Sequence, residues 1–281
     1  MTMSKKLGQN FLVNKDKIKK IIEVLEIRNG ETIIEIGAGH GELTKELRIR
    51  NQELGAENDR KIKYGIKVIA IEKDEKLARD LRNKIDDLGL KNVKVIEGDA
   101  LKILPKLTNN LQLTTFNYKL VGNIPYYITG YLLRVISGLE NKPKLTIFTI
   151  QKEVAERIIA KSPDMNLLAA ATQFWAEAGI IDYIPKEDFR PKPKVDSAII
   201  KLRIRNYESG IGDNYYKFIK ILFKQPRKTI VNNLTSDKTQ EIGDKKKIID
   251  KLKKMGIEPN ARAQDLSVEK IIEMSKLMMG K

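Results

Sequence analysis

The residues best suited to chemistry stand at the ends of short apolar runs. Glu35-Ile36-Gly37-Ala38-Gly39-His40-Gly41-Glu42-Leu43-Thr44 follows Thr32-Ile33-Ile34 and opens a helix-like stretch. Glycines in such a turn let backbone amides approach a ligand and permit a tight strand-to-helix reversal. The Gly-x-Gly-x-Gly spacing is tighter than the Gly-x-Gly-x-x-Gly of a pyrophosphate cradle, so Gly37 and Gly39 fit a methyltransferase loop, another nucleotide site or a structural turn. Glu72 ends the next run, where a carboxylate with two acceptor oxygens suits a ribose diol; a solvated strand-end charge is the alternative. Asp99, in Glu97-Gly98-Asp99-Ala100, follows the third run and suits an adenine amine or, more simply, a helix cap. After the fourth run comes Gly122-Asn123-Ile124-Pro125-Tyr126-Tyr127. An amine whose lone pair is delocalised into a purine is a poor nucleophile and must be oriented toward the methyl sulfonium it attacks. The Asn123 side-chain oxygen and the carbonyl before the Pro125-stiffened turn each accept one N–H, and Tyr126 stacks on the base. No strong general base is required, because the proton leaves after attack. An aromatic packed in the core beside an ordinary turn is the competing reading.

These residues need a scaffold that points several strand ends to one edge. Between Glu31 and about Arg205, β-branched runs alternate with longer helix-like segments: 32–36, 67–71, 93–96, 119–121 and 145–148, with later runs at 179–183 and 197–202. Such alternation predicts crossover units and an open, mainly parallel α/β sheet of six or seven strands, with ligands at the carboxyl ends. Beyond Asn206 the pattern is helical without strands, as in Tyr215–Phe223 and Lys247–Leu252, after Gly210 and Gly212. The expected division is therefore 1–205 for the α/β domain and 206–281 for a small all-helical domain. Asn51–Tyr64 is polar and without apolar period, as expected of an insertion loop.

Composition narrows the function classes. The 281 residues are 41% hydrophobic, enough for a real core in one large domain with a smaller companion. No apolar run approaches the roughly 20 residues that cross a bilayer, and Met1–Lys6 is not followed by a signal-like stretch, so a cytoplasmic protein without membrane association is expected. The chain has no cysteine and one histidine, His40, which excludes disulfides and thiol nucleophiles and leaves no expected metal centre. The formal net charge is +16, and from Pro185 to Lys281 there are 23 Lys and Arg against 13 Asp and Glu. An excess concentrated in the final third suits a polyanion partner, although a lysine-biased composition would also produce it.

With these motifs in place the chain resembles the ribosomal RNA adenine N6,N6-dimethyltransferase family. The resemblance runs through Gly8-Gln9-Asn10-Phe11-Leu12, the glycine loop, Glu72, Gly98-Asp99-Ala100, Asn123–Tyr126, Gln151–Arg157, Phe189–Ser197 and Arg262–Ser267. It implies a Rossmann-like class I methyltransferase fold, S-adenosyl-L-methionine as cofactor, and tandem adenines near the 3′ end of small-subunit (16S) rRNA as target. It also implies a role in small-subunit biogenesis, on an assembly intermediate. Carried over to this chain, it implies that Asn10 and Leu12 cover the methionine end of the cofactor and that Gly37 lies beneath it. Glu72 would hold the ribose and Asp99 the adenine, while Asn123, Pro125 and Tyr126 hold the target base with Phe189 as a second stacking face. The base must be unpaired or extruded to reach such a pocket. The chain departs from the family pattern at Ala38, where proline is common, at Gln225-Pro226, where an arginine pair usually precedes Lys-Thr, and in the length of Asn51–Tyr64. A macrolide-resistance-type relative acting on large-subunit (23S) RNA is the nearest rival, disfavoured by Pro191–Ser197 and Arg262–Ser267. A retired homologue that only binds nucleic acid is disfavoured by the intact Asn10, Glu72, Asp99, Asn123 and Tyr126. A monomer is expected.

Overall fold

The computed structural model describes residues 9–48, 65–110, 118–205, 212–236 and 244–280. The expected insertion Asn51–Tyr64 lies outside the described residues, as do Gly8 and the stretch around Gly210. Nine strands are present among the described residues: β1 (Phe11–Leu12), β2 (Thr32–Ile36), β3 (Lys67–Glu72), β4 (Val93–Glu97), β5 (Tyr118–Asn123), β6 (Leu145–Gln151), β7 (Ala176–Ile184), β8 (Phe189–Arg190) and β9 (Ser197–Ile204). Seven of them form one sheet in the order β4-β3-β2-β5-β6-β9-β7, and β1 pairs with β8 in a separate two-stranded ribbon. The pairs β2–β3, β2–β5, β3–β4 and β5–β6 are parallel, whereas β6–β9 is antiparallel. The chain therefore reverses its direction of strand addition between β2 and β5, the switch at which open α/β sheets place ligands. The expected α/β sheet of about seven strands is the one observed.

The central strands read as continuous apolar runs because both faces are covered. Every residue of β2 is buried, and Ile33, Ile147, Val121 and Ile199 pack with Ile18, Ile21 and Ile22 from α1 (Lys15–Val24). Helix α2, helical through 42–48, follows the glycine loop, and α3 (Glu75–Asp87), α4 (Ala100–Asn110) and α5 (Thr129–Ser137) follow β3, β4 and β5 in turn. Asp74 caps α3 by accepting the Leu77 N–H at 3.1 Å. At the opposite, amino ends of the strands, ion pairs close the sheet. The Lys119 ammonium is 2.7 Å from the Glu31 carboxylate, and both groups are buried. Lys201 and Arg203 on β9 bind Glu26, and these hydrogen bonds hold the Glu26 carboxyl down to about 2.

Two compact units can be distinguished: Met1–Ala155 with Gly179–Ile204, and Glu156–Ala178 with Arg205–Lys281. The division is thus discontinuous, in contrast to the expected 1–205 and 206–281. Residues 156–178 lack a strand of their own until β7, and within the second unit α7 (Leu167–Gln173) packs on α8 (Gly212–Leu222) and α11 (Val268–Met279). The Phe174 and Tyr215 rings stack with centroids 4.1 Å apart, and the Tyr215 hydroxyl donates to the Ala170 carbonyl at 3.0 Å. Helices α9 (Ile230–Thr235) and α10 (Lys245–Lys254) complete this unit, whose helical character agrees with the sequence pattern beyond Asn206.

The tightest backbone approach lies at the sheet's switch point. A Cβ on Gly122 would come within 2.4 Å of the Ile36 carbonyl oxygen, a backbone atom that no rotamer change can move. Gly122→Ala should force the carboxyl ends of β2 and β5 apart and cost about 1–3 kcal/mol, read as a melting temperature several degrees lower.

Candidate active site

Glu72 organises the carboxyl edge of the sheet. Its side chain is almost wholly buried, and it accepts the Gly39 N–H on Oε2 at 2.8 Å and the Asp74 N–H on Oε1 at 2.8 Å. The Gln9 amide reaches the same Oε1 at 3.4 Å. The glycine loop is pinned to β3 by Gly37 N–H to the Ile71 carbonyl at 2.8 Å, and the Glu72 carbonyl accepts from Gly98 at 2.7 Å. Gly37, Gly39 and Gly41 all have positive φ, and at Gly39 a Cβ would also stand 2.8 Å from the Phe11 ring. A glycine there allows Phe11 to lie over the loop, against His40, with ring centroids 4.5 Å apart. Ala38 donates its N–H to the Ile71 carbonyl at 3.3 Å, a bond that a proline at this position could not make.

Asp99 caps the helix that follows it and pairs with a lysine. Oδ1 accepts the Leu101 N–H at 3.0 Å in the first turn of α4, while Oδ2 meets the Lys73 ammonium at 2.9 Å. Burial pushes the Asp99 carboxyl up, but the hydrogen bonds from Lys73 and Leu101 outweigh it and hold the group below the usual carboxylate range. Glu72 and Asp99 line a cleft of about 460 Å³, open to solvent, whose walls include Gln9, Ile36, Gly37, Ala100 and Tyr127. A second cleft is lined by Asn10, Phe11, Asn123, Ile124 and Tyr126, and shares Gln9, Gly37, Glu72 and Pro125 with the first. The two clefts therefore meet along one wall.

In the second cleft Asn123 ends β5, and its Nδ2 donates to the Asn10 carbonyl at 2.7 Å. The amide is thereby turned so that Oδ1 remains an acceptor, and among the described residues no donor reaches Oδ1 or the neighbouring Ile124 carbonyl. The Pro125 carbonyl is engaged by the Ile128 N–H at 3.0 Å. Tyr126 is half-buried, its hydroxyl 2.8 Å from Ser197 Oγ at the start of β9. Burial raises the phenol above its ordinary value, so it stays neutral and acts through its ring and as a hydrogen-bonding tether.

The ribbon between β1 and β8 brings the N-terminal segment to this site, with Phe11 opposite Arg190 and Leu12 opposite Phe189. The side chains of two of the expected site residues turn into the core. Leu12 and Phe189 are both buried in the core formed with Ile18, Ile21 and Ile199, and neither lines either cleft. The apolar pairing across the ribbon takes up both side chains, so Phe189 offers no free face to a base. Gly39 also stands behind the cleft wall and acts through Glu72. Gln9, Lys73 and Tyr127 line the first cleft without having been singled out; Gln9 lay inside the quoted Gly8–Leu12 motif, and Tyr127 directly follows Tyr126. The departure at Gln225-Pro226 falls in the α8–α9 turn, clasped by Asn233, whose Oδ1 and Nδ2 bond the Gln225 backbone at 3.1 Å each.

A seven-stranded sheet with its reversal between β2 and β5, a glycine loop after β2 and carboxylates ending β3 and following β4 together define a Rossmann-like class I methyltransferase. The structure is similar to a dimethyladenosine transferase from Plasmodium falciparum, with a TM-score of 0.74 at 24% identity, covering 94% of this chain and 95% of that one. It is also similar to the 23S rRNA methyltransferase ErmE, with a TM-score of 0.65 at 24% identity, covering 96% and 99%. The family model for ribosomal RNA adenine dimethylase matches residues 1–279, and the chain belongs to that family. Among its relatives are proteins called ribosomal RNA small subunit methyltransferase A. The one from Fusobacterium nucleatum is 36% identical, covering 99% of this chain and 98% of its own length. The one from Dehalococcoides mccartyi is 35% identical, covering 94% and 84%.

One buried acid stands behind the loop. Glu35 is fully enclosed, and its carboxylate accepts from the Thr44 hydroxyl of α2 at 2.5 Å. Burial pushes its carboxyl up to about 8, against the bond from Thr44, with the nearby Glu42 and Glu72 adding to the rise. Since the unfolded carboxyl titrates near 4.5, the folded state holds a proton that the unfolded chain has released between these values. The stability this contributes is complete below 4.5 and is lost as pH rises through 8. A melting series from pH 5 to 8 should show that loss, on the order of a few kcal/mol, and Glu35→Gln should flatten it.

Proposed function

We propose that this enzyme uses S-adenosyl-L-methionine to dimethylate N6 of two adjacent adenines near the 3′ end of small-subunit (16S) rRNA. The observation that carries the reading is the shared wall of the two clefts: the residues suited to a nucleoside and those suited to an adenine amine meet at Gln9, Gly37, Glu72 and Pro125. The small-subunit target is supported by relatives at 35–36% identity named for that subunit.

The donor set of the first cleft fits the cofactor. Beyond the bonds from Gly39 and Asp74, Glu72 has lone pairs enough to accept a ribose diol once the longer 3.4 Å contact from Gln9 gives way, and Asp99 stands one strand further along for an exocyclic amine. At Gly37 an added Cβ would stand 3.6 Å from the Asn123 carbonyl oxygen, filling the junction between the clefts that the methionine end needs, with Asn10 alongside. When bound there, the cofactor supplies an electrophilic methyl group on a sulfonium. In the second cleft the chain's own residues orient the nucleophile. Asn123 Oδ1 and the Ile124 carbonyl each accept one N–H of the target amine, which aims its lone pair, and the Tyr126 ring, fixed through Ser197, stacks on the base. Leu12 contributes by packing the β1–β8 ribbon that holds Asn10, and Phe189 does the same from the other strand.

The second unit supplies a surface for the RNA backbone. On α10, Lys245, Lys246, Lys247, Lys253 and Lys254 are exposed while Ile248 and Leu252 face the interior. Such a helix offers phosphate contacts without base selectivity. Because an adenine held in a finished helix cannot enter the second cleft, the substrate is a small-subunit assembly intermediate with these bases unpaired. In this reading the enzyme acts as a monomer in the cytoplasm, the compartment where such intermediates occur. No helix among the described residues is long and apolar enough to cross a membrane.

Labelled methyl transfer to small subunits lacking these modifications should yield dimethyladenosine by mass spectrometry; product confined to large subunits would overturn the target. Asn123→Ala should lower transfer by at least ~100-fold with RNA binding within a few-fold of wild type. RNA affinity should fall steeply between about 50 and 200 mM salt, and a flat response in a filter-binding titration would argue against the phosphate-contact surface.

A further inference from the structure

We propose that Tyr131, with Tyr127, forms a stacking platform for the unpaired nucleotide that flanks the target adenine. This rests on the reading of the second cleft as the site of an RNA adenine. Tyr127 is 57% exposed and Tyr131 68% exposed, and both stand in a single 3₁₀-to-α turn that begins directly after Pro125. Four residues apart, they share one face of the entry to α5, while Leu132, Leu133 and Ile136 turn inward. Single exposed aromatics are ordinary in soluble proteins. Here the first lines the first cleft beside Lys73 and Asp99 and directly follows Tyr126 of the second, so the pair puts exposed aromatic surface next to the junction of the two clefts.

The surroundings point to a nucleic acid as the occupant. Gly130 precedes Tyr131, and a Cβ there would meet nothing within 4 Å, so the helix surface beside Tyr131 is open. Helix α4 packs beside α5, and neither Ala100–Asn110 nor Thr129–Ser137 contains an acidic residue in a chain with 37 of them. Lys102, Lys106 and Arg134 are exposed on these helices. Aromatic rings beside exposed cations, on two helices that carry no acidic residue of their own, match what an unpaired strand requires: a ring for each base and a charge for the backbone. Tandem adenines would then be handled together, one in the second cleft and its neighbour on the platform. Tyr131 is a positioning residue in this scheme, outside both clefts.

The test uses the full chain and a short single-stranded RNA containing the two adenines, with 2-aminopurine at the flanking position. Stacking quenches that fluorophore. The wild-type protein should quench it, and Tyr131→Ala should abolish the quench and raise the RNA KM by about 5- to 100-fold, leaving cofactor affinity and melting temperature unchanged. Tyr131→Phe should restore both readouts, whereas Tyr131→Leu should restore neither. A Tyr131→Ala variant that quenches and methylates like wild type would overturn the platform, as would full rescue by leucine. If the wild-type protein transfers no methyl group to any adenine, the functional reading fails, and the quench comparison still decides whether Tyr131 stacks a base.

Discussion

The site depends on one carboxylate that is satisfied before any ligand arrives. Glu72 takes the Gly39 amide on one oxygen and the Asp74 amide on the other, so it ties the loop after β2 to the turn after β3. A buried carboxylate without such partners would be costly; here the same bonds that make burial tolerable fix the loop's shape. Gln9 reaches Glu72 from the N-terminal segment, and Asn10 fixes the Asn123 amide from the same segment. Three stretches distant in sequence are thereby registered on a single side chain. Any change that loosens it should disturb both clefts together.

The molecule separates what stabilises from what reacts. Its amino strand ends are closed by the buried Lys119–Glu31 pair and by the Glu26 clasp of Lys201 and Arg203. The Lys119 ammonium is disfavoured by its burial, which pulls its pKa down against the pull of Glu31. The carboxyl ends carry instead acceptors, Asn123 Oδ1 and the Ile124 carbonyl, that no donor reaches among the described residues. Unmet hydrogen-bonding capacity costs stability wherever it is buried, and it is tolerated at this edge because the clefts are open to solvent and a ligand amine can meet it.

Much of this was legible because local chemistry and global topology agree. The runs ending at Ile36, Glu72, Glu97 and Asn123 became parallel strands, and the residues at their ends came to one edge because right-handed crossovers leave them no other arrangement. What the sequence did not disclose was pairing at a distance. The β1–β8 ribbon joins Phe11–Leu12 to Phe189–Arg190 across almost the whole first unit, and two-residue strands have no periodicity to betray them. For that reason nothing in the local pattern shows that the side chains of Leu12 and Phe189 pack in the core. The grouping of 156–178 with the C-terminal helices was hidden for a similar cause: Phe174 and Tyr215 meet only in three dimensions, while the helical pattern of 167–173 alone assigns them to neither unit.

On the proposed reading, two successive methylations make different demands on the same acceptors. The first amine presents two N–H groups, one for Asn123 Oδ1 and one for the Ile124 carbonyl, so hydrogen bonding alone orients its lone pair. After one transfer a single N–H remains, and one of the two acceptors goes unmet while an added methyl must be accommodated. Orientation then shifts toward stacking, which is insensitive to how many N–H groups the base retains. Tyr126, fixed through Ser197, is placed for that duty. It follows that weakening the ring should impair the second transfer more than the first, and weakening the Asn123 acceptor should do the reverse.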